Sequence, residues 1–200
     1  MAEVLLFHHA HGLTSGVRDF AEALEQAGHR VHVPDLYDGQ VFAELEQGLA
    51  HAREVGFGEV LERGRRAAEA RPAELVYAGF SLGAMPAQML AQTRAGATGA
   101  LLLHACLPAE EFGAWPSDVP VQVHGMDADA FFVPDGDLDA ARALVASTAQ
   151  AELFLYPGDA HLFADASLPS YDEPAAALLL ERVLGFLDGV DQRRAPAPAG

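Results

Sequence analysis

Leu75-Val76-Tyr77-Ala78-Gly79-Phe80-Ser81-Leu82-Gly83-Ala84 is the stretch of this 200-residue chain on which its fold turns. Leu75 to Ala78 is a short apolar run behind Pro72 and reads as a buried strand. Ser81 to Ala95 reads as a helix, with Pro86 admissible only within its first turns. Between them stands Gly79-Phe80-Ser81-Leu82-Gly83, a G-x-S-x-G pattern at a strand-to-helix turn. The glycines have a mechanical reason: a serine held in so sharp a turn needs small neighbours two residues away on each side, or strand and helix cannot approach. The helix start then aims backbone N–H groups at any negative charge that develops beside the serine. With 19 Gly and 6 Ser in the chain, chance supplies this pattern roughly 0.05 times. The strand-helix setting lowers that further.

Outward from this turn the chain alternates. Val4–His8, Val31–Val33, Ala100–His104, Val119–His124 and Glu152–Tyr156 read as further strands. Val17–Ala27, Val41–Val55, Glu59–Ala70, Leu138–Thr148 and Pro174–Leu187 read as helices. Such alternation implies one α/β domain over residues 1–190, with a mostly parallel sheet covered on both faces. Residues 191–200, ending in Ala195-Pro196-Ala197-Pro198-Ala199-Gly200, are expected to form a disordered Pro/Ala tail.

A serine hydroxyl is a weak nucleophile until a base takes its proton, and that base must be held in one tautomer. On a strand-turn-helix serine the partners follow in the order acid, then His, just past strand ends. After the fifth strand comes Gly125-Met126-Asp127-Ala128-Asp129-Ala130-Phe131; after the sixth, Pro157-Gly158-Asp159-Ala160-His161. Of the nine His, His161 alone lies beyond Asp129, so the order selects it as base. For the acid, the residues leave Asp127 and Asp129 open. One oxyanion donor is expected from the Leu82 amide. The other should come from the loop after the first strand, at Ala10.

Composition removes competing chemistries. All 12 basic residues are Arg and none is Lys, against 29 acidic residues and a net charge of -17. Without Lys there is no Schiff base, no Ser-Lys dyad and no phosphate-binding Walker loop. The acidity argues against nucleic acid or an anionic membrane as partner. A small-molecule substrate and a monomer or homodimer are expected. The single Cys106 permits no internal disulfide and fits a reducing cytoplasm, and no signal peptide or membrane span is expected. His8-His9-Ala10-His11 invites a metal, but no carboxylate or Cys stands near it in sequence. The His side chains read instead as polar lining of the oxyanion loop, and no metal or cofactor is expected.

Taken together these residues resemble the dienelactone hydrolase family of α/β-hydrolases. The likeness rests on the Phe7–Leu13 loop, Pro34-Asp35-Leu36-Tyr37, the G-x-S-x-G pattern, Asp129-Ala130-Phe131-Phe132, and Ala160-His161-Leu162-Phe163. It implies an α/β-hydrolase fold, Asp129 as the triad acid and Ala10 as the second oxyanion donor. Its best-known members carry Cys where Ser81 stands and Glu where His9 stands. They carry Arg four residues after the catalytic His, where this chain has Asp165. The expectation is a serine esterase for a small neutral ester, lactone or thioester, with Asp165 beside the catalytic His repelling anionic substrates. The alternative is a non-catalytic ligand-binding or sensor module. Ala105 to Asp118 is too short and too rich in turn residues for a cap domain. The site is therefore expected to be open, with His9, His11, Trp115, Phe131 and Phe132 as pocket residues.

Overall fold

The computed structural model describes residues 1–194. In chain order it contains β1 (Glu3–Phe7), α1 (Ser15–Gln26), β2 (Arg30–His32), α2 (Leu45–Val55), α3 (Phe57–Glu69) and β3 (Leu75–Phe80). There follow α4 (Ala84–Thr93), β4 (Ala97–Leu103), β5 (Val121–Met126), α5 (Asp137–Ser147), β6 (Ala151–Tyr156) and α6 (Glu173–Arg194). The six strands form one sheet in the order β2-β1-β3-β4-β5-β6, with every neighbouring pair parallel.

Both faces of the sheet are covered, which is why its strands are apolar throughout. Leu5, Tyr77, Leu102 and Val123 point into one layer, against Ala52 of α2, Val60 of α3, Ala87 of α4 and Leu144 of α5. Val4, Val76 and Leu101 point the other way, against Val17 and Leu24 of α1 and Leu179 and Val183 of α6. Neighbouring residues of one strand thus serve opposite cores, as the period of two demands.

The chain winds outward from β1 to β2, then returns across β1 to build β3 and the rest. The sheet therefore changes winding direction between β1 and β3, and a crevice opens there at the carboxyl ends of the strands. Phe7 lies opposite Gly79 in the β1–β3 ladder, so the His8–Leu13 loop leaves the sheet beside the turn at Ser81.

Two local readings need correction. Val41 does not begin a helix: it bridges to Gly12, and Phe42 N–H donates to the His11 carbonyl at 2.8 Å, which ties this segment to the loop after β1 until α2 starts at Leu45. Helix α6 continues through residues 191–194, so the expected tail does not start at 191; residues 195–200 lie outside the described part. The segment from Ala105 to Asp118 contains one 3₁₀ turn, Ala109–Glu111, and no larger element. Among the described residues no helix is long and apolar enough to cross a membrane.

Candidate active site

Ser81 sits at φ 47°, a left-handed backbone angle that a residue with a Cβ rarely adopts. The two flanking glycines show how the turn tolerates it. A Cβ on Gly79 would lie 2.0 Å from the Gly83 carbonyl oxygen, and one on Gly83 would lie 2.4 Å from the Phe7 carbonyl oxygen. Both clashes are with backbone, which has no freedom to give way. The turn is followed by a 3₁₀ turn at Ser81–Gly83 and then α4, with Pro86 in its first turn.

Ser81 Oγ lies 2.9 Å from His161 Nε2, and His161 Nδ1 lies 2.7 Å from Asp129 Oδ2. The other Asp129 oxygen accepts the Phe131 N–H at 2.8 Å and the Phe132 N–H at 3.3 Å, so the carboxylate is fixed at both ends. Asp129 is fully buried. Asp127 is exposed and accepts the Gly158 N–H at 3.1 Å, clipping together the loops after β5 and β6. Geometry thus separates two acids that the sequence leaves side by side. Ala10 is buried, and its carbonyl oxygen faces α2 at Gly48, where a Cβ would approach it to 2.0 Å. Helix α2 therefore packs directly on the loop from which the second oxyanion donor is expected.

A cavity of about 350 Å³ opens over Ser81, Leu82 and His161. That size suits a small organic molecule. Phe131 lines it, with its ring centroid 4.8 Å from that of His161. The other expected pocket residues lie elsewhere. Phe132 is fully buried beneath Gly125 as a core residue. Trp115 donates its indole N–H to the Val119 carbonyl at 2.7 Å and packs on the core away from the cavity. His11 faces the Phe42 carbonyl at 2.9 Å. His9 and Asp165 meet each other: His9 Nε2 lies 2.7 Å from Asp165 Oδ2, and both side chains are fully buried. Asp165 therefore does not enter the cavity, and the expected repulsion of anions by this residue falls away.

The His9–Asp165 pair has a structural setting. Asp165 also accepts from the hydroxyls of Thr14 and Ser167 and from the Ser167 N–H. Thr14 is the N-cap of α1, so the carboxylate stands at the positive end of that helix. Burial alone would raise its pKa; the bonds from His9, Ser167 and Thr14 win and hold it well below the usual carboxylate range. Burial lowers the pKa of His9 against the opposing pull of Asp165. His9 Nδ1 accepts the His11 N–H at 3.3 Å, which leaves Nε2 as the protonated nitrogen. His8 donates from Nδ1 to the His9 carbonyl and accepts the Leu36 N–H on Nε2, and burial pushes its pKa down to about 4. The three histidines of the loop thus have three separate occupations.

One cavity wall was not foreseen. Leu45, Leu49 and Arg53 of α2, with Phe57 at the start of α3, face Ser81 across it. Their spacing of four residues was the available signal, since i, i+4 and i+8 share a helix face. Asp135, Asp137 and His104 line the cavity as well. The wall from α2 also corrects the picture of an open site shaped by loops alone.

The family model for the dienelactone hydrolase family matches residues 1–190. The chain belongs to the dienelactone hydrolase family. It is accordingly a hydrolase with the α/β-hydrolase fold. Among solved structures it resembles a putative dienelactone hydrolase from Klebsiella pneumoniae subsp. pneumoniae MGH 78578, at 22% identity and TM-score 0.73, covering 94% of this chain and 87% of that one. It also resembles P91, a dienelactone hydrolase-like promiscuous phosphotriesterase from metagenomic libraries, at 21% identity and TM-score 0.72, covering 95% and 87%. A third is Thermogutta terrifontis esterase 2 phosphonylated by cyclosarin, at 17% identity and TM-score 0.68, covering 94% and 83%. No curated protein matches the sequence significantly. In this family setting the two departures at His9 and Asp165, separate on paper, are one bonded pair in the fold.

Proposed function

We propose that this family member is a serine hydrolase that cleaves a small carboxylic ester, lactone or thioester through an acyl-enzyme on Ser81. The observation that carries the reading is the continuous contact from Ser81 Oγ through His161 to buried Asp129, at 2.9 and 2.7 Å, opening into the cavity. Ser81 Oγ attacks the carbonyl carbon while His161 Nε2 takes its proton. Asp129 holds the Nδ1–H and stabilises the imidazolium that forms. The Leu82 and Ala10 amides face the developing oxyanion. The tetrahedral adduct collapses as His161 returns the proton to the leaving alcohol or thiol. Water then attacks the acyl-Ser81 by the same steps, releasing the acid and regenerating the hydroxyl.

The Ser nucleophile without a Glu beside it fits this simpler esterase chemistry. The decisive assay is turnover of p-nitrophenyl acetate by the wild type and by Ser81→Ala. A loss of about 10⁴-fold or more in kcat is expected. Equal rates in the two proteins would remove Ser81 from the mechanism and favour a binding module.

A further inference from the structure

The cavity over Ser81 has a polar flank and an apolar flank. The polar one belongs to the loop after β5. There Phe131 leans on the His161 ring, and Asp135 and Asp137 follow it towards the start of α5. The apolar one is assembled from three separate elements. Leu45 and Leu49 come from α2, Met85 from the first turn of α4, and Leu107 from the segment after β4. All four are half-buried. Leu45, Leu49 and Met85 back onto the core and turn their remaining face to the cavity. Arg53, further along α2, is exposed and stands at the rim. Apolar side chains left with one face open beside a nucleophile gain by being covered.

This flank is held in place. A Cβ on Gly48 would come within 2.0 Å of the Ala10 carbonyl oxygen, so α2 sits directly on that loop and Leu49 follows at once. Leu107 is clamped by Gln88 of α4, whose Nε2 donates to the Leu107 carbonyl at 2.8 Å and whose Oε1 accepts the Leu107 N–H at 3.0 Å. Gln88 is fully buried. Met85 stands four residues after Ser81, about one helical turn further along.

The part of the substrate that meets the apolar flank follows from the groups around its carbonyl. His161 returns the proton to the leaving group, so the leaving group lies beside His161, on the flank of Phe131, Asp135 and Asp137. The carbonyl oxygen faces the Leu82 and Ala10 amides. The acyl chain takes the remaining direction, over Met85 towards Leu49 and Leu107. Volume sets its length. At about 30 Å³ for a group the size of a water molecule, the 350 Å³ of the cavity hold on the order of ten non-hydrogen atoms. That is an ester group, a small leaving group and a chain of roughly six carbons.

We propose that the cavity selects esters of straight-chain carboxylic acids of medium length, and that Leu49 is the residue that sets the length of acyl chain accepted. This rests on the hydrolase reading above and names its substrate class.

The test uses the full chain and two isomers, ethyl hexanoate and hexyl acetate. They share one formula and differ only in which side of the ester carries the chain. Acid release is followed at pH 8, where Asp137, whose carboxyl burial pushes up to about 6, keeps one charge state. The expected kcat/KM for ethyl hexanoate exceeds that for hexyl acetate by about tenfold, the low end for burying methylenes in an apolar pocket. Along the ethyl esters from acetate to decanoate, kcat/KM peaks at hexanoate. Leu49→Trp, which fills the cavity, brings the isomer ratio towards unity, and Leu49→Ala moves the peak to a longer ester. Both readouts compare substrates within one protein sample, so partial misfolding of a variant does not move them. An isomer ratio of one or below in the wild type puts the chain on the His161 side and overturns the proposal. So does a ratio unchanged in Leu49→Trp, or a peak that stays in place in Leu49→Ala. Calorimetric binding of hexanamide, which keeps the chain and the carbonyl, is expected to weaken about tenfold in Leu49→Trp and needs no turnover. No hexanamide binding by the wild type also overturns the proposal. Failure of every ester to turn over, with hexanamide still bound, sinks the hydrolase reading and leaves the apolar pocket standing. Turnover of every ester without chain preference does the reverse.

Discussion

His161–Asp129 and His9–Asp165 are both imidazole–carboxylate pairs closed at 2.7 Å, and both carboxylates are fully buried. They differ in what the other ring nitrogen meets. His161 Nε2 meets Ser81 Oγ, and its side chain is 9% exposed at the floor of the cavity. His9 Nδ1 meets the backbone N–H of His11, and its side chain is 0% exposed. On the proposed mechanism the same pair chemistry thus positions a base in one place, and in the other it staples a loop, a helix N-terminus and the Asp165 turn. Pairing alone does not make a catalytic dyad. A movable proton, a nucleophile and access for substrate make the difference.

The largest expected contrast lies between the two carboxylates. Asp129→Asn should lower kcat for p-nitrophenyl acetate by about 10⁴-fold, because the imidazole loses its fixed tautomer. Asp165→Asn should leave kcat of the folded protein within a few-fold while lowering unfolding stability by about 3 kcal/mol, the cost of breaking a buried pair. Denaturant titration beside the kinetic assay separates the two outcomes. An Asp165→Asn protein that keeps its stability and loses its rate would abolish the distinction.

The pH dependence sharpens it. The folded pKa of Asp165 is depressed, so its stabilisation is complete above its unfolded value of about 4 and is lost as pH falls through the lower folded value. Asp137 has the opposite sign. Its folded pKa is raised to about 6, so its protonated form stabilises the fold below the unfolded value, and that contribution disappears as pH rises through about 6. Asp137→Asn should therefore raise Tm at pH 8 and leave it nearly unchanged at pH 4. Thermal melts at both pH values, with Asp165→Asn alongside, test the two signs. The smallest effect is expected from Asp127→Asn, where an exposed clip to Gly158 is lost. About 0.5 kcal/mol of stability should go, as for an ordinary surface change, with kcat preserved. A collapse of the rate there would move the acid back to Asp127.

The sequence showed the frame of the site because backbone mechanics is local. Gly79, Ser81 and Gly83 carry their turn in five residues, and the chain order alone isolates His161. It did not show which of Asp127 and Asp129 meets that ring, since both stand in the same turn and only the direction of the loop after β5 separates them. The His9–Asp165 bond joins residues 156 apart, beyond the reach of any local pattern. Trp115 and Phe132 looked like pocket aromatics because an aromatic in a loop beside a catalytic residue has no local mark of the direction it faces. The spacing of Leu45, Leu49 and Arg53 was visible, but whether that face of α2 met core or cavity depended on Gly48 seating the helix on the Ala10 loop.

The most direct test of the central claim is covalent. The wild type and the Asp129→Asn, Asp165→Asn and Ser81→Ala variants would be treated with a fluorophosphonate probe, and the adduct located by peptide mass spectrometry. The account predicts one adduct, on the Ser81 peptide, formed rapidly in the wild type and in Asp165→Asn, slowly in Asp129→Asn, and absent from Ser81→Ala. No adduct in the wild type, an adduct on another residue, or equal labelling of Asp129→Asn and Asp165→Asn would contradict it.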